Sequence, residues 1–152
     1  MLVSSIVLDE PIAVDAPFQV VRDISLAIAG QYFLFLAFDR RDASFERLRS
    51  LIGGAYGQKI EANGTLVDAD EPPGLPIPVR WALRSPTGAV LAGEQSDVLG
   101  AHSWSSREIA RLLYKGDLRA GHYEFTAALA EGISELSGIR ARLRLEREPK
   151  LQ

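Results

Sequence analysis

Few side chains in this sequence are suited to acid–base, nucleophilic or metal chemistry at neutral pH. The 152 residues hold two histidines and no cysteine. A thiol nucleophile, a disulfide and a cysteine-based zinc site are therefore excluded. His102 stands next to Ser103 and two residues from Trp104, with Asp97, Ser105 and Ser106 close in sequence. A histidine catalyst needs a nucleophile or carboxylate within hydrogen-bond reach, so a serine hydrolase is one reading of this stretch. No Gly-x-Ser-x-Gly elbow accompanies it, and the plainer reading is a polar loop. His122 lies inside Gly121-His122-Tyr123, where period-two alternation sends it to the face opposite Tyr123 and into solvent. No residue is assigned a catalytic role on these grounds.

Asp68, Asp70 and Glu71 form an acidic cluster whose alternating oxygens would suit calcium. The cluster lacks the glycine and distal glutamate of an EF-hand loop, and Pro72-Pro73 follows at once. It reads as a solvated acidic loop, with no metal and no cofactor assigned, and as a surface that steers a basic partner. Trp104 is the aromatic expected to be exposed and so a candidate anchor, whereas Trp81 is expected in the core. The candidate partner contacts are thus Asp68, Asp70, Glu71, His102 and Trp104. Arg140, Arg142 and Arg144 make an outward basic ladder. The favoured reading is a soluble sheet face neutralised by acids on a neighbouring strand, ahead of anion or lipid-headgroup binding. Asn63-Gly64-Thr65 matches a glycosylation sequon and is taken as chance.

Composition narrows the classes further. The chain is 47% hydrophobic and 24% charged, enough for one globular domain over 1–152 with a substantial core. Seventeen basic against 20 acidic residues give a net charge of −3, which argues against bulk nucleic-acid binding. No apolar run reaches the roughly 18–20 residues of a membrane-spanning helix. The first residues lack a basic n-region and a long apolar h-region, so no signal peptide is expected. Cytoplasm is the location as written, and periplasm if a leader has been removed.

The elements that must position these residues are mostly strands. Residues 117–129 hold the organising feature: Leu118, then a tight turn at Arg119-Ala120-Gly121, then a strand with Tyr123, Phe125, Ala127 and Leu129 on one face. Leu-x-x-Gly-x-Tyr is how many two-sheet proteins turn a corner, with the tyrosine hydroxyl tying down the turn backbone. Residues 2–8 read as a short edge strand stopped by Asp9-Glu10-Pro11, and 12–14 as a second edge piece. Residues 18–29 form a long strand with Ile24, Leu26 and Ile28 on one face and Arg22 alongside them. Gly30-Gln31 makes a turn, and 32–38, apolar on both faces, is a central strand.

Residues 43–52 are the one helix. Phe45, Leu48 and Ile52 form its stripe, Asp42 or Ser44 caps its start, and Gly53-Gly54 ends it. The long loop 55–75 has a turn at Asn63-Gly64, consistent with a small hairpin between 59–61 and 65–67. Residues 76–84 alternate around Ile77, Val79, Trp81 and Leu83, with prolines suggesting an edge or late entry, and 89–95 return as their hairpin partner. Residues 106–114 satisfy both periods, helped by a Ser105-x-x-Glu108 capping box, and are assigned to strand because they feed the corner. Ile139, Ala141, Leu143 and Leu145 face inward in the last strand, and 148–152 fray. Seven to nine strands, one helix and no βαβ alternation predict an all-β, Greek-key or immunoglobulin-like sandwich.

The order of these pieces resembles an uncharacterised bacterial family of small β-sandwich proteins, many of them envelope lipoproteins. The resemblance spans roughly residues 12–146. Its most specific parts are Arg47-Leu48-Arg49-Ser50-Leu51-Ile52-Gly53 and Pro76-Ile77-Pro78-Val79-Arg80, supported by Gly121-His122-Tyr123. This chain departs from the lipoprotein members in having no lipobox cysteine. The resemblance implies no catalytic residues. It does imply association with secreted antibacterial effectors, type VI secretion among them, and hence an immunity role.

Two expectations of different class follow. One is a non-catalytic immunity protein that binds and neutralises a cognate effector, using loops 55–75 and 97–105. The other is a small-ligand module for glycans or lipid headgroups.

Overall fold

The computed structural model describes residues 6–53, 58–60, 66–68, 74–96, 103–105 and 107–147; of 58–60, 66–68, 91–96 and 103–104 it describes the backbone alone. Eleven strands appear among these residues, more than the seven to nine expected. The five-stranded sheet has the order β1 (Ile6–Ile12), β11 (Ala141–Arg147), β3 (Gly30–Asp39), β9 (Glu108–Leu118), β8 (Ser103–Trp104). The four-stranded sheet has the order β2 (Phe18–Leu26), β10 (Gly121–Leu129), β6 (Val79–Arg84), β7 (Val90–Ser96). β4 (Gln58–Ile60) and β5 (Leu66–Asp68) pair with each other, separate from both sheets, as the small hairpin predicted; the expected turn at Asn63-Gly64 lies outside the described residues. All pairings are antiparallel, and the chain changes sheets repeatedly, as a Greek-key sandwich requires.

One bent ribbon underlies the two sheets. β2 pairs with β10 from Phe18↔Leu129 to Leu26↔Gly121, and β3 pairs with β9 from Gly30↔Leu118 to Asp39↔Glu108. The same two antiparallel chains therefore run down one sheet, fold over at 27–29 and 119–120, and continue in the other. Gly121 takes the positive φ of +148° that this fold demands. The Tyr123 hydroxyl donates to the Arg119 carbonyl at 2.6 Å, the expected tie. Its counterpart was not expected: the Tyr32 hydroxyl donates to the Ile28 carbonyl at 2.6 Å, across the other limb of the bend. Each tyrosine bonds four residues back, and each sits two residues after a glycine.

This second corner corrects the reading of the first strands. Gly30-Gln31 is not a turn but the start of β3; the turn lies at 27–29, β2 ends at Leu26, and Ile28 is exposed. Arg22 is exposed as well, drawn to the Glu10 carboxylate by two hydrogen bonds of 3.1 and 2.6 Å. β1 does not stop at Asp9-Glu10-Pro11. It runs through Pro11, which an edge strand tolerates because one side of its backbone has no ladder to complete.

The core lies between the sheets. Tyr32, Leu34, Leu36 and Phe38 from β3, Phe125 and Leu129 from β10, and Leu143 and Leu145 from β11 are all essentially inaccessible. Trp81 joins them as expected, its ring 4.8 Å from that of Tyr114. The other face of β3 carries a second, smaller cluster of Phe35, Ala37 and Ala110, with Phe33 and Leu112 packed against it. Prolines precede β6, but β6 is interior, between β10 and β7.

Helix α1 (Phe45–Ile52) is capped by Ser44, whose side chain accepts from the Arg47 amide. Leu48 and Ile52 are buried in the main core, while Phe45, expected on the same stripe, is 53% exposed. Ser105 makes the predicted local bonds to the Arg107 and Glu108 amides, yet the element it opens is strand β9.

Candidate functional site

Three arrangements of polar side chains stand out, each built by strand register between residues far apart in sequence. The first occupies the outer face of the four-stranded sheet. On β2 the outward residues are Gln19, Val21, Asp23 and Ser25; opposite them on β10 stand Ala128, Thr126, Glu124 and His122. β6 adds Arg80, Ala82 and Arg84 beside the same β10 residues. Ser25 Oγ lies 2.8 Å from His122 Nδ1. Arg84 donates to the Thr126 hydroxyl at 3.0 Å.

Asp23 and Glu124 are direct cross-strand neighbours, and neither has an ion pair among the described residues. Like charges placed directly opposite each other destabilise a sheet. A hollow of about 480 Å³ opens here, with Ser25, Arg84 and His122 also on its walls. Below it, Val21, Thr126 and Ala82 line up with Gly93 of β7 in a belt of small or apolar residues. His122 thus faces solvent, as its alternation implied. Its partner Ser25 was not foreseen, because 97 positions separate the two in sequence.

The second arrangement is the arginine ladder that runs from Arg140 into β11, and each of its members is paired with an acid. Arg140 donates to Asp42 through Nε and Nη2, both at 2.9 Å, and its Nη2 lies 3.3 Å from Asp39. Arg142 donates to Asp9 at 2.5 Å. Arg144 grips Glu108 with two bonds of 3.0 and 2.5 Å and lies over the Phe35 ring at 5.8 Å. Asp39 is held far below the ordinary carboxylate range, first by the Arg41 side chain and then by the Arg41 amide. Asp42 is lowered too, by its hydrogen bonds from Arg140.

The third is a buried arginine. Alternation around Ala110, Leu112 and Tyr114 would put Arg111 on the face opposite them; the register places it beside Leu36, facing the core. It is 1% exposed and has no acid partner among the described residues. Its Nε and Nη2 donate to the Ile52 carbonyl at 3.0 and 2.7 Å, so the cation caps the negative end of α1. Burial pushes its pKa down to about 10, which leaves it charged at neutral pH. Gly74, at φ +78°, closes over the same point: a Cβ there would come within 2.6 Å of Arg111 Nη2.

The residues expected to contact a partner lie outside the described residues or are described by backbone alone. Asp70, Glu71 and His102 lie outside the described residues, and so do Asp97 and Ser106. Asp68 and Trp104 are placed by backbone alone, in β5 and β8. No cluster of three or more metal-ligating side chains occurs among the described residues. Among them, too, no helix is long and apolar enough to cross a membrane.

Comparison with known proteins gives a family and a fold. The model of a family described as a domain of unknown function, DUF5625, matches residues 9–147. A crystal structure of a protein from Sulfurospirillum deleyianum superposes with a TM-score of 0.72 at 17% identity, covering 94% of this chain and 98% of that one. No curated protein matches the chain.

Proposed function

We propose that this chain, which belongs to the DUF5625 family, is a non-catalytic binding domain that neutralises a cognate antibacterial effector, and that the outer face of its four-stranded sheet is the docking surface. The observation that carries this reading is Asp23 set beside Glu124 on an accessible sheet face, while Arg84, across from Glu124 on the other side, bonds Thr126 and forms no ion pair with either among the described residues. A free protein gains nothing from that repulsion. A lysine or arginine from a partner would bridge the two carboxylates and turn a local penalty into binding energy. The belt of Val21, Thr126, Ala82 and Gly93 beside the pair presents few long side chains, so a partner surface can approach the backbone closely. An interface of standard size buries about 1,200–2,000 Å² in total, and such a sheet face is a suitable platform for one.

The Ser25–His122 pair belongs to this surface and not to a hydrolase. It is exposed, and no carboxylate among the described residues holds the imidazole. A nucleophile of the serine type needs that third group to orient its base.

Co-purification with the product of the neighbouring gene should give a stoichiometric complex. Within it, the double variant Asp23→Asn, Glu124→Gln should associate about tenfold more slowly at low salt while folding at least as stably as the wild type. Stopped-flow association and thermal melts measure the two effects. An unchanged association rate would remove this face from the account, and failure to bind any neighbouring product would remove the immunity role.

A further inference from the structure

We infer that the outer face of the five-stranded sheet carries an oxyanion site, formed where Arg41, Arg107, Arg140 and Arg142 surround a hollow of about 310 Å³, and that it takes a phosphate group. The hollow arises from side-chain length. Ala37 of β3 lies in the outward row between Arg142 of β11 and Ala110 of β9. Both alanines are almost fully buried, so long side chains rise around a short-chained floor.

Four guanidinium groups line its walls. Asp42 and Asp9 at the rim pair with Arg140 and Arg142, so the cation left over among the described residues is Arg107. The carboxylates on the walls themselves are Asp39 and Glu108. Both carboxylates are already engaged: Asp39 receives Arg41 at 3.1 and 2.8 Å, and Glu108 receives Arg144 from outside the hollow. Arg140 is held by Asp42, and Arg142 spends its Nε on Asp9. Arg107 is exposed, and its side chain has no hydrogen bond or ion pair among the described residues.

The ion pairs thus fix three arginines in place while leaving N–H donors over, and the fourth arginine's side chain has no partner among the described residues. Fixed, planar donor forks in excess are the arrangement that a multiply charged oxyanion satisfies, because each of its oxygens accepts more than one bond. A chain of net charge −3 has no general attraction for anions, so the selectivity must be local to this hollow. The phosphate can come from a free phosphomonoester or from a phospholipid headgroup. The hollow lies on the opposite sheet from the surface proposed to dock an effector, so this inference stands or falls independently of that one.

The test is isothermal titration of inorganic phosphate into the wild type, Arg107→Gln and Arg22→Gln, at constant ionic strength set with chloride. The wild type should bind saturably at one site. Arg107→Gln should weaken binding at least about tenfold with an unchanged melting temperature, since losing a hydrogen bond to a charged group costs on that scale. Arg22→Gln, whose arginine sits outside the hollow, should bind like the wild type. No saturable binding to the wild type, or equal affinity in Arg107→Gln, overturns the inference. Co-sedimentation with phosphatidylglycerol vesicles against phosphatidylcholine vesicles then separates the sources: Arg107-dependent binding to the former supports a headgroup, and phosphate binding without it supports a free ligand.

Discussion

Two tyrosine hydroxyls do the same work at the two limbs of one bend. Tyr123 ties the Arg119 carbonyl and Tyr32 ties the Ile28 carbonyl, each at 2.6 Å. Burial pushes the pKa of the Tyr32 phenol up, against an opposing pull from Arg147 and with a smaller upward push from Tyr123. Removing either hydroxyl strands a carbonyl at the point where the chain leaves one sheet for the other. Tyr32→Phe and Tyr123→Phe should therefore each cost about 1 kcal/mol, with an unchanged denaturant slope. Urea unfolding measures both, and a Tyr32→Phe protein as stable as the wild type would show that the second bond braces nothing. The first corner was legible because Leu118, Gly121 and Tyr123 sit at the familiar spacing. The second also has its glycine two residues before its tyrosine, at Gly30 and Tyr32. Its leucine, Leu26, lies one residue further back, and the apolar run that follows hid the corner inside what reads as a plain central strand. Arg111 was illegible for a related reason. The register shift between Leu34 and Phe35 lets β9 change which residues face the core, and no period-two count anticipates a bulge.

At the level of strands and helices, charge pairing across register decides what the last strand can do. β11 was the most readable element of the sequence, because alternation put Ile139, Ala141, Leu143 and Leu145 inside and the arginines outside. Which acids would meet those arginines depends on β1 as neighbour, on β9 one strand beyond β3, and on the 3₁₀ turn Arg40–Asp42, none of it visible in one strand. Asp42 joins that turn to the start of β11 through the Arg140 amide and guanidinium, each bond at 2.9 Å. Its carboxyl is held below the ordinary value of 3.8, chiefly by the Arg140 side chain. A carboxylate depressed by folding adds stability that is complete above its unfolded pKa and fades as pH falls through its folded one. Asp42→Asn should thus be less stable than the wild type at pH 7. The gap should begin to close below about pH 4 and narrow further with added acid. Urea midpoints across that range test the sign, and a gap that widens in acid contradicts it. The site residues were less readable than the strands. Ser25 with His122, Asp23 with Glu124, and Arg107 with Arg142 come together only through pairings between distant segments, and sequence carries little trace of them.

For the whole molecule, the two outer faces have opposite characters, and the helix shows how tightly the layers between them are joined. The five-stranded face carries ion-paired arginines around the hollow over Ala37 and Ala110; the four-stranded face sets two acids side by side at Asp23 and Glu124. Helix α1 belongs to neither face. At eight residues it is too short to persist alone, so its stability must come from what it touches. Leu48 and Ile52 are fully buried in the same core as residues from both sheets, and Arg111 of the five-stranded sheet holds its last carbonyl. Helix and sandwich should therefore unfold as one unit. Leu48→Ala should lower global stability by about 2–5 kcal/mol through the cavity it leaves. The far-ultraviolet and tryptophan-fluorescence transitions should remain coincident while both shift together. If the sandwich midpoint held steady while helical signal was lost earlier, α1 would be an appendage. The Arg111 bonds would then be local trim, not a tie between layers.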